Sequence, residues 1–175
     1  MLNRTRVLVM LSLLAIYANP GFAKKREEVF PVTVKNESIE TMIGRGKYHH
    51  ADSLIEFFPT QQQNEAAIQV KLVQFNRVAT SDEVLHELDR NGMRPITLPE
   101  LLAFGATYPD MQRSFPIVAL GTVWSVPGCG QTTCFDDLIT RHITYLDGSK
   151  SERTLRRTRF ESGWGAECRF AAVRK

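Results

Sequence analysis

Polar and apolar residues alternate most cleanly over Ala67 to Asn76, where Ile68, Val70, Leu72 and Gln74 fall on one side and Gln69, Lys71, Val73 and Phe75 on the other. A period of two marks a half-buried strand. Val29 to Val34 is a shorter β-rich stretch, and Ile117 to Trp124, Arg141 to Leu146 and Phe170 to Val173 have strand composition with longer apolar runs. The turn signal Asp147-Gly148 joins the run before it to another strand. Two helices are marked by their starts. Thr80 and Glu83 have capping-box spacing ahead of Val84, Leu85 and Leu88, with Asn91-Gly92 as the stop. Thr97 and Glu100 repeat the box ahead of Leu101, Leu102 and Phe104, with Pro99 in the tolerant first turn and Gly105 as the stop. Both helices are short and one-sided, which predicts packing on a sheet. Ser38 to Ile43 predicts a helical turn stopped by Gly44 and Gly46, and Tyr48 to Asn64 reads as a long loop with an apolar piece at Leu54 to Phe58. Strands, two helices and more strands, without an internal repeat, predict an α+β fold.

Residues 1–23 carry a different pattern. Arg4 and Arg6 precede the apolar run Val7 to Ala18, and Gly21 and Ala23 are small residues before Lys24-Lys25-Arg26. These are the parts of a secretory signal peptide cleaved after Ala23. The run is shorter than the roughly 20 residues of a bilayer crossing, so no transmembrane segment is expected after cleavage. The expected location is exported, periplasmic or extracellular, and residues 24–65 form a β and loop extension ahead of the main domain.

The 175 residues are 43% hydrophobic and 23% charged, the balance of one globular domain. The formal charge is +3, but without the export segment 20 basic and 19 acidic side chains remain. The surplus is local: residues 150–175 hold 8 basic and 3 acidic groups. There, strand alternation places Arg153, Arg157 and Arg159 on one face and Arg156 on the other. This is either a stripe for an anionic partner or a charged edge that resists aggregation. No helix combines basic residues with a helix-turn-helix, zinc-finger or zipper pattern, so sequence-specific nucleic-acid binding is not expected.

Cys129, Cys134 and Cys168 are the three cysteines. In an oxidising compartment Cys129 and Cys134 are placed to close a small loop, leaving Cys168 as the odd thiol, although Cys168 is also a candidate partner for either. Zinc with His142 as a further ligand is the weaker alternative. His49, His50 and Asp52 are a possible metal or acid/base group, but neighbours on an extended segment point apart, and solvated loop residues are the simpler expectation. Asp136-Asp137 suits a helix start or turn better than a calcium site. A thiol enzyme would centre on Cys168, with Arg169 adjacent and His142 across the sheet. Phosphate-loop, nucleophile-elbow, zinc-protease and dinucleotide motifs are absent, and no cofactor is implied. Trp124, ending an apolar run, reads as a core anchor. Trp164, in Ser162-Gly163-Trp164-Gly165, reads either as an exposed ligand contact or as a lid folded onto the core.

The run EVLHELDRNGMRPITLPELLAFGATYPDMQRSFPIVALGTVW from Glu83, with the closing CRFAAVRK, resembles a recurrent family of uncharacterised bacterial proteins. GRGKYHHADSLIEFFP and IQVKLVQFN are similar to the same family. Gly92-Met93-Arg94-Pro95-Ile96-Thr97-Leu98-Pro99-Glu100-Leu101, Trp124-Ser125, ITYLDG and Cys168-Arg169 also resemble bacterial C-type-lectin-like domains, with Pro95-Ile96 intervening before Thr97. The resemblance implies a C-type-lectin-like α+β domain over residues 66–175, with two short helices on antiparallel strands. It does not imply calcium-dependent sugar binding, since the E-P-N, Q-P-D and W-N-D motifs are missing. The leading expectation is a non-catalytic binding domain for a protein, a glycan or an anionic surface, using the loops between Ser125 and Arg141 and around Trp164, with Arg153, Arg157 and Arg159 nearby. The alternatives are a thiol- or metal-dependent enzyme and an envelope-associated structural protein.

Overall fold

The computed structural model describes residues 28–60, 64–126 and 139–175. The export segment, Cys129, Cys134 and Asp136-Asp137 lie outside the described residues. The architecture is α+β, a mixed eight-stranded sheet with helices on both faces. Its strands are β1 (Phe30–Val34), β2 (His50–Ala51), β3 (Ala66–Val73), β4 (Met93–Pro95), β5 (Ile117–Val126), β6 (Thr140–Gly148), β7 (Arg153–Arg159) and β8 (Arg169–Arg174). Their spatial order is β1-β3-β8-β5-β6-β7-β2, with β4 also beside β8.

The centre of this sheet is β8, which pairs antiparallel with β3 on one edge and is shared between two strands on the other. There β5 pairs in parallel with Arg169 and Phe170, and β4 pairs antiparallel with Ala172 to Arg174. At the changeover Ile96 N donates to Ala171 O at 3.0 Å and Gly121 N donates to Ile96 O at 2.9 Å. A Cβ on Gly121 would stand 2.4 Å from that same carbonyl oxygen, so the close approach requires glycine.

Three helices cover the sheet: α1 (Ile39–Gly46), α2 (Ser81–Arg90) and α3 (Leu98–Thr107). One apolar cluster gathers α1, α3 and a 3₁₀ turn at Ser53–Phe57 against Ile117, Ala119, Leu146, Leu155, Ala171 and Val173. The other gathers α2 against Val118, Leu120, Ile143, Phe170 and Ala172. Successive residues of β5 and β8 therefore enter opposite cores, and their apolar runs are continuous because both faces are buried.

Both capping boxes form. Thr80 N donates to Glu83 Oε2 at 2.8 Å while Glu83 N donates to Thr80 Oγ1 at 3.3 Å. At α3, Thr97 N donates to Glu100 Oε2 at 2.7 Å, and Arg94 grips the same carboxylate. Burial raises the pKa of Glu100, but the Arg94 hydrogen bonds and charge and the Thr97 backbone outweigh it and hold the carboxyl below its ordinary value.

Several elements differ from expectation. Instead of being one-sided, α3 is buried from Leu98 to Gly105, because it packs against α1 and β1 as well as β5 and β6. The supposed turn at Asp147-Gly148 is strand to its last residue, and Ser149 to Glu152 makes the reversal, with Ser149 N donating to Glu152 O. Within residues 24–65, β1 pairs with β3, β2 pairs in parallel with β7, and Val32, Met42, Ile55 and Phe58 are core residues. This described part of the extension belongs to the same sheet and core.

Candidate functional site

Alternation along β7 puts Arg153, Leu155, Arg157 and Arg159 on one face, but these residues meet different surroundings. Leu155 is wholly buried under α1 and α3, and Arg153 beside it is only 5% exposed. Arg153 Nη1 donates to Gly46 O at 2.6 Å, and Nη2 donates to Gly105 O at 2.7 Å and to Gln112 Oε1 at 3.1 Å. Its guanidinium also lies 5.1 Å from the Tyr48 ring centroid. Arg153 is thus an internal tie between α1, α3 and β7, and the expectation that it belongs to a solvent-facing stripe is corrected. Satisfying two helix-end carbonyls offsets the cost of burying its charge.

Trp164 is the second correction. It is 6% exposed, its Nε1 donates to Ser81 Oγ at 3.0 Å, and its ring meets Tyr145 and Phe170 edge-on. Backbone hydrogen bonds in both directions between Ala79 and Trp164 hold the loop closed. The side chain forms a lid on the α2 core and presents no ring to a ligand.

Arg157 and Arg159 reach the open end of the other face. Trp124 on β5 is the cross-strand partner of His142 on β6, and His142 is the partner of Arg159 on β7. An aromatic ring, an imidazole and a guanidinium therefore stand in one row across three adjacent strands. The Trp124 and His142 ring centroids are 6.0 Å apart. Phe58, buried, packs on Trp124 from the 3₁₀ turn, and Phe57 stacks on it with centroids 6.4 Å apart while remaining 59% exposed.

Asp52 fixes the next row. Its Oδ1 accepts from Leu54 N at 2.9 Å, starting the turn that carries Phe57 and Phe58, while its Oδ2 lies 3.0 Å from Arg157 Nε. Arg157 Nη1 lies 3.2 Å from His142 Nδ1, which as the acceptor leaves the imidazole neutral with its proton on Nε2. Burial, then the charges of Arg157 and Arg159, lower the pKa of His142 below its ordinary value, against a Thr158 backbone hydrogen bond and Glu161. Arg159 is exposed, and among the described residues it has no ion pair, whereas Arg141 is paired with Glu161 at 2.8 Å.

The histidine pair separates. His49 Nδ1 accepts from Arg153 N at 3.1 Å, and His49 N and Asp52 N donate to Arg153 O and Leu155 O. His49 and His50 are exposed, as expected of solvated residues, but their segment is a strap docked on β7 rather than a free loop, and its acidic residue serves Arg157. Among the described residues no group of three or more His, Cys, Asp or Glu side chains is placed to hold a metal ion. Among the described residues Cys168 has no disulfide partner, and its thiol, 5% exposed, has its pKa pushed up by burial first and by Glu167 second. A nucleophilic thiol needs the opposite shift.

Sequence patterning brought Arg157 and Arg159 to one face, but it missed Phe57, Trp124, His142 and Asp52 as their neighbours. The only local signal was Asp52 two residues before Leu54, which suits a turn start. Comparison with known proteins gave no match to a family model, a curated protein or a solved structure.

Proposed function

We propose that the protein is an exported, non-catalytic binding domain whose contact surface is the row Trp124, His142 and Arg159, flanked by Phe57 and Arg157. The observation that carries this is the row itself, strand positions with an aromatic ring at one end and a cation at the other. Aromatic faces with an adjacent guanidinium are the usual anchors of recognition surfaces. The buried thiol of Cys168 with its raised pKa and the structural duty of His49 favour binding over catalysis.

A C-type-lectin-like arrangement of residues 66–175 belongs to the same proposal. It is supported by the element order, an opening strand, two capped helices and then strands, with Trp124-Ser125 near the end of β5 and Cys168-Arg169 at the start of β8. Among the described residues no helix is long and apolar enough to cross a membrane. Intact mass of the protein from its native host tests the export part: a chain starting at Lys24 supports it, and an uncleaved chain overturns it.

The binding part is tested by titrating the purified chain with saccharides and with envelope preparations, alongside Trp124→Ala. Binding that weakens at least about tenfold in the variant, the scale of one lost anchor residue, supports the proposal. Turnover of any compound, or binding indifferent to Trp124, overturns it.

A further inference from the structure

Resting on that binding-domain reading, we infer that the ligand is an acidic saccharide carrying one negative charge per recognised unit, a carboxylate or a sulfate ester, laid along the Trp124–His142–Arg159 row. Adjacent strands stand about 4.8 Å apart, so three strands give a track of roughly 10 Å, the length of about two sugar rings. At one end exposed Phe57, stacked on half-buried Trp124, offers a flat apolar ring, the chemistry that receives the C–H face of a pyranose. At the other end Arg159 offers a planar fork that matches carboxylate or sulfate oxygens.

Charge bookkeeping at the site selects the number of charges. Asp52 neutralises Arg157, Glu161 neutralises Arg141, and His142 is neutral as the acceptor from Arg157. Among the described residues Arg159 is left as one net positive charge. A single anionic group balances it, whereas a doubly charged phosphate monoester would bring an excess negative charge beside Asp52 and Glu161. Arg156 lies on the opposite face of β7 and does not add to the track.

The rigidity of the row is also consistent with a small ligand. Trp124 is braced from behind by buried Phe58, and Arg157 is held between Asp52 and His142. Little side-chain freedom is lost when a sugar binds to such a surface, which suits ligands that offer few contacts.

The test is calorimetric titration of the purified full mature chain with a galacturonate oligomer, a sulfated galactose oligomer and the neutral galactose oligomer of equal length. Anionic lipid vesicles are titrated in parallel, and the variants are Arg159→Gln and Trp124→Ala. The inference expects one or both acidic oligomers to bind about tenfold more tightly than the neutral one, the scale of one charge-assisted hydrogen bond. A carboxylate preference and a sulfate preference appear as separate arms. Arg159→Gln is expected to erase the difference between acidic and neutral oligomers, and Trp124→Ala to weaken all of them together.

Equal binding of acidic and neutral oligomers, still dependent on Trp124, would overturn the acidic-ligand inference and leave the binding domain standing. Binding to anionic vesicles but to no oligomer would overturn it in favour of a lipid surface. Absence of binding to every probe, and to envelope material, would overturn both. Arg159 is exposed at the end of its strand, so a folded Arg159→Gln variant is expected, and its unfolding midpoint checks this.

Discussion

The two tryptophans stand on opposite faces of one sheet and have opposite fates. Trp164 is closed in: its indole N–H is satisfied by Ser81, two aromatic edges meet it, and the capped start of α2 lies over it. Trp124 has buried Phe58 on one flank but meets solvent-exposed Phe57 and the imidazole of His142, which Arg157 contacts in turn, on the others. The closed ring serves the fold, and the half-buried one is the ring proposed for recognition. The difference comes from what covers each face, since both rings lie over the same sheet.

The sharpest way to break this contrast is to truncate both rings. Trp164→Ala is expected to cost about 3–5 kcal/mol of unfolding free energy in urea, the range for emptying a packed aromatic site. Trp124→Ala is expected to cost less than half as much, because part of its area is exposed already, while it removes ligand binding. Equal costs would make Trp124 a second core residue and dissolve the distinction.

Along β7 the same contrast separates Arg153 from Arg159. Arg153→Met keeps volume but leaves Gly46 O, Gly105 O and Gln112 Oε1 without their donor, and a buried polar group stripped of its partner costs about 1–3 kcal/mol. Arg159→Met is expected to stay within about 0.5 kcal/mol of the parent, the usual range for an exposed position. Chemical denaturation of the two variants side by side would show whether one strand face carries both a structural tie and a free cation.

A smaller effect is expected at Ser81, which links Trp164 to the chain by accepting from Nε1 and donating to Phe160 O at 2.5 Å. Ser81→Ala leaves the indole N–H unpaired and is expected to cost about 1–2 kcal/mol of unfolding free energy. Loss of the same size in a Trp164→Phe background would show that the hydrogen bond is not what closes the lid.

Local chemistry was legible in the sequence, and distant partnership was not. Thr80 with Glu83 and Thr97 with Glu100 announced two helix starts because a capping box is complete within four residues. The apolar run from Ile117 announced a strand for the same reason. Arg153 and Trp164 were read against their immediate neighbours, a charged stretch and a Gly-rich loop, which say nothing of burial. The partners that bury them, Gly46, Gly105 and Gln112 for one and Ser81 for the other, lie far along the chain. Parity alone correctly set Arg157 and Arg159 on a common face, yet nothing local could bring Asp52 to Arg157 or Phe57 to Trp124. Those contacts depend on the two-residue strand β2 docking in parallel on β7, and a two-residue strand leaves no periodicity to read.

The mildest expected effect is a pH dependence at the open face. Burial and the charges of Arg157 and Arg159 depress the pKa of His142 in the folded chain, so as pH falls the unfolded chain takes up this proton first. The contribution of neutral His142 to stability is therefore fully present above the unfolded value of about 6.5 and is lost as pH falls through the lower folded value. Carboxyls with lowered values, such as Glu100, lose their contribution only in a more acidic window. Stability of the parent minus that of His142→Gln, followed from pH 7.5 down to about 5, is expected to fall. A flat difference would mean that the imidazole does not sense the two arginines. An acidic oligomer on Arg159 would offset part of the positive potential acting on the ring and shrink that fall, whereas the neutral oligomer would not. The same titration with and without ligand thus reads whether the anion sits at the His142 end of the row or elsewhere.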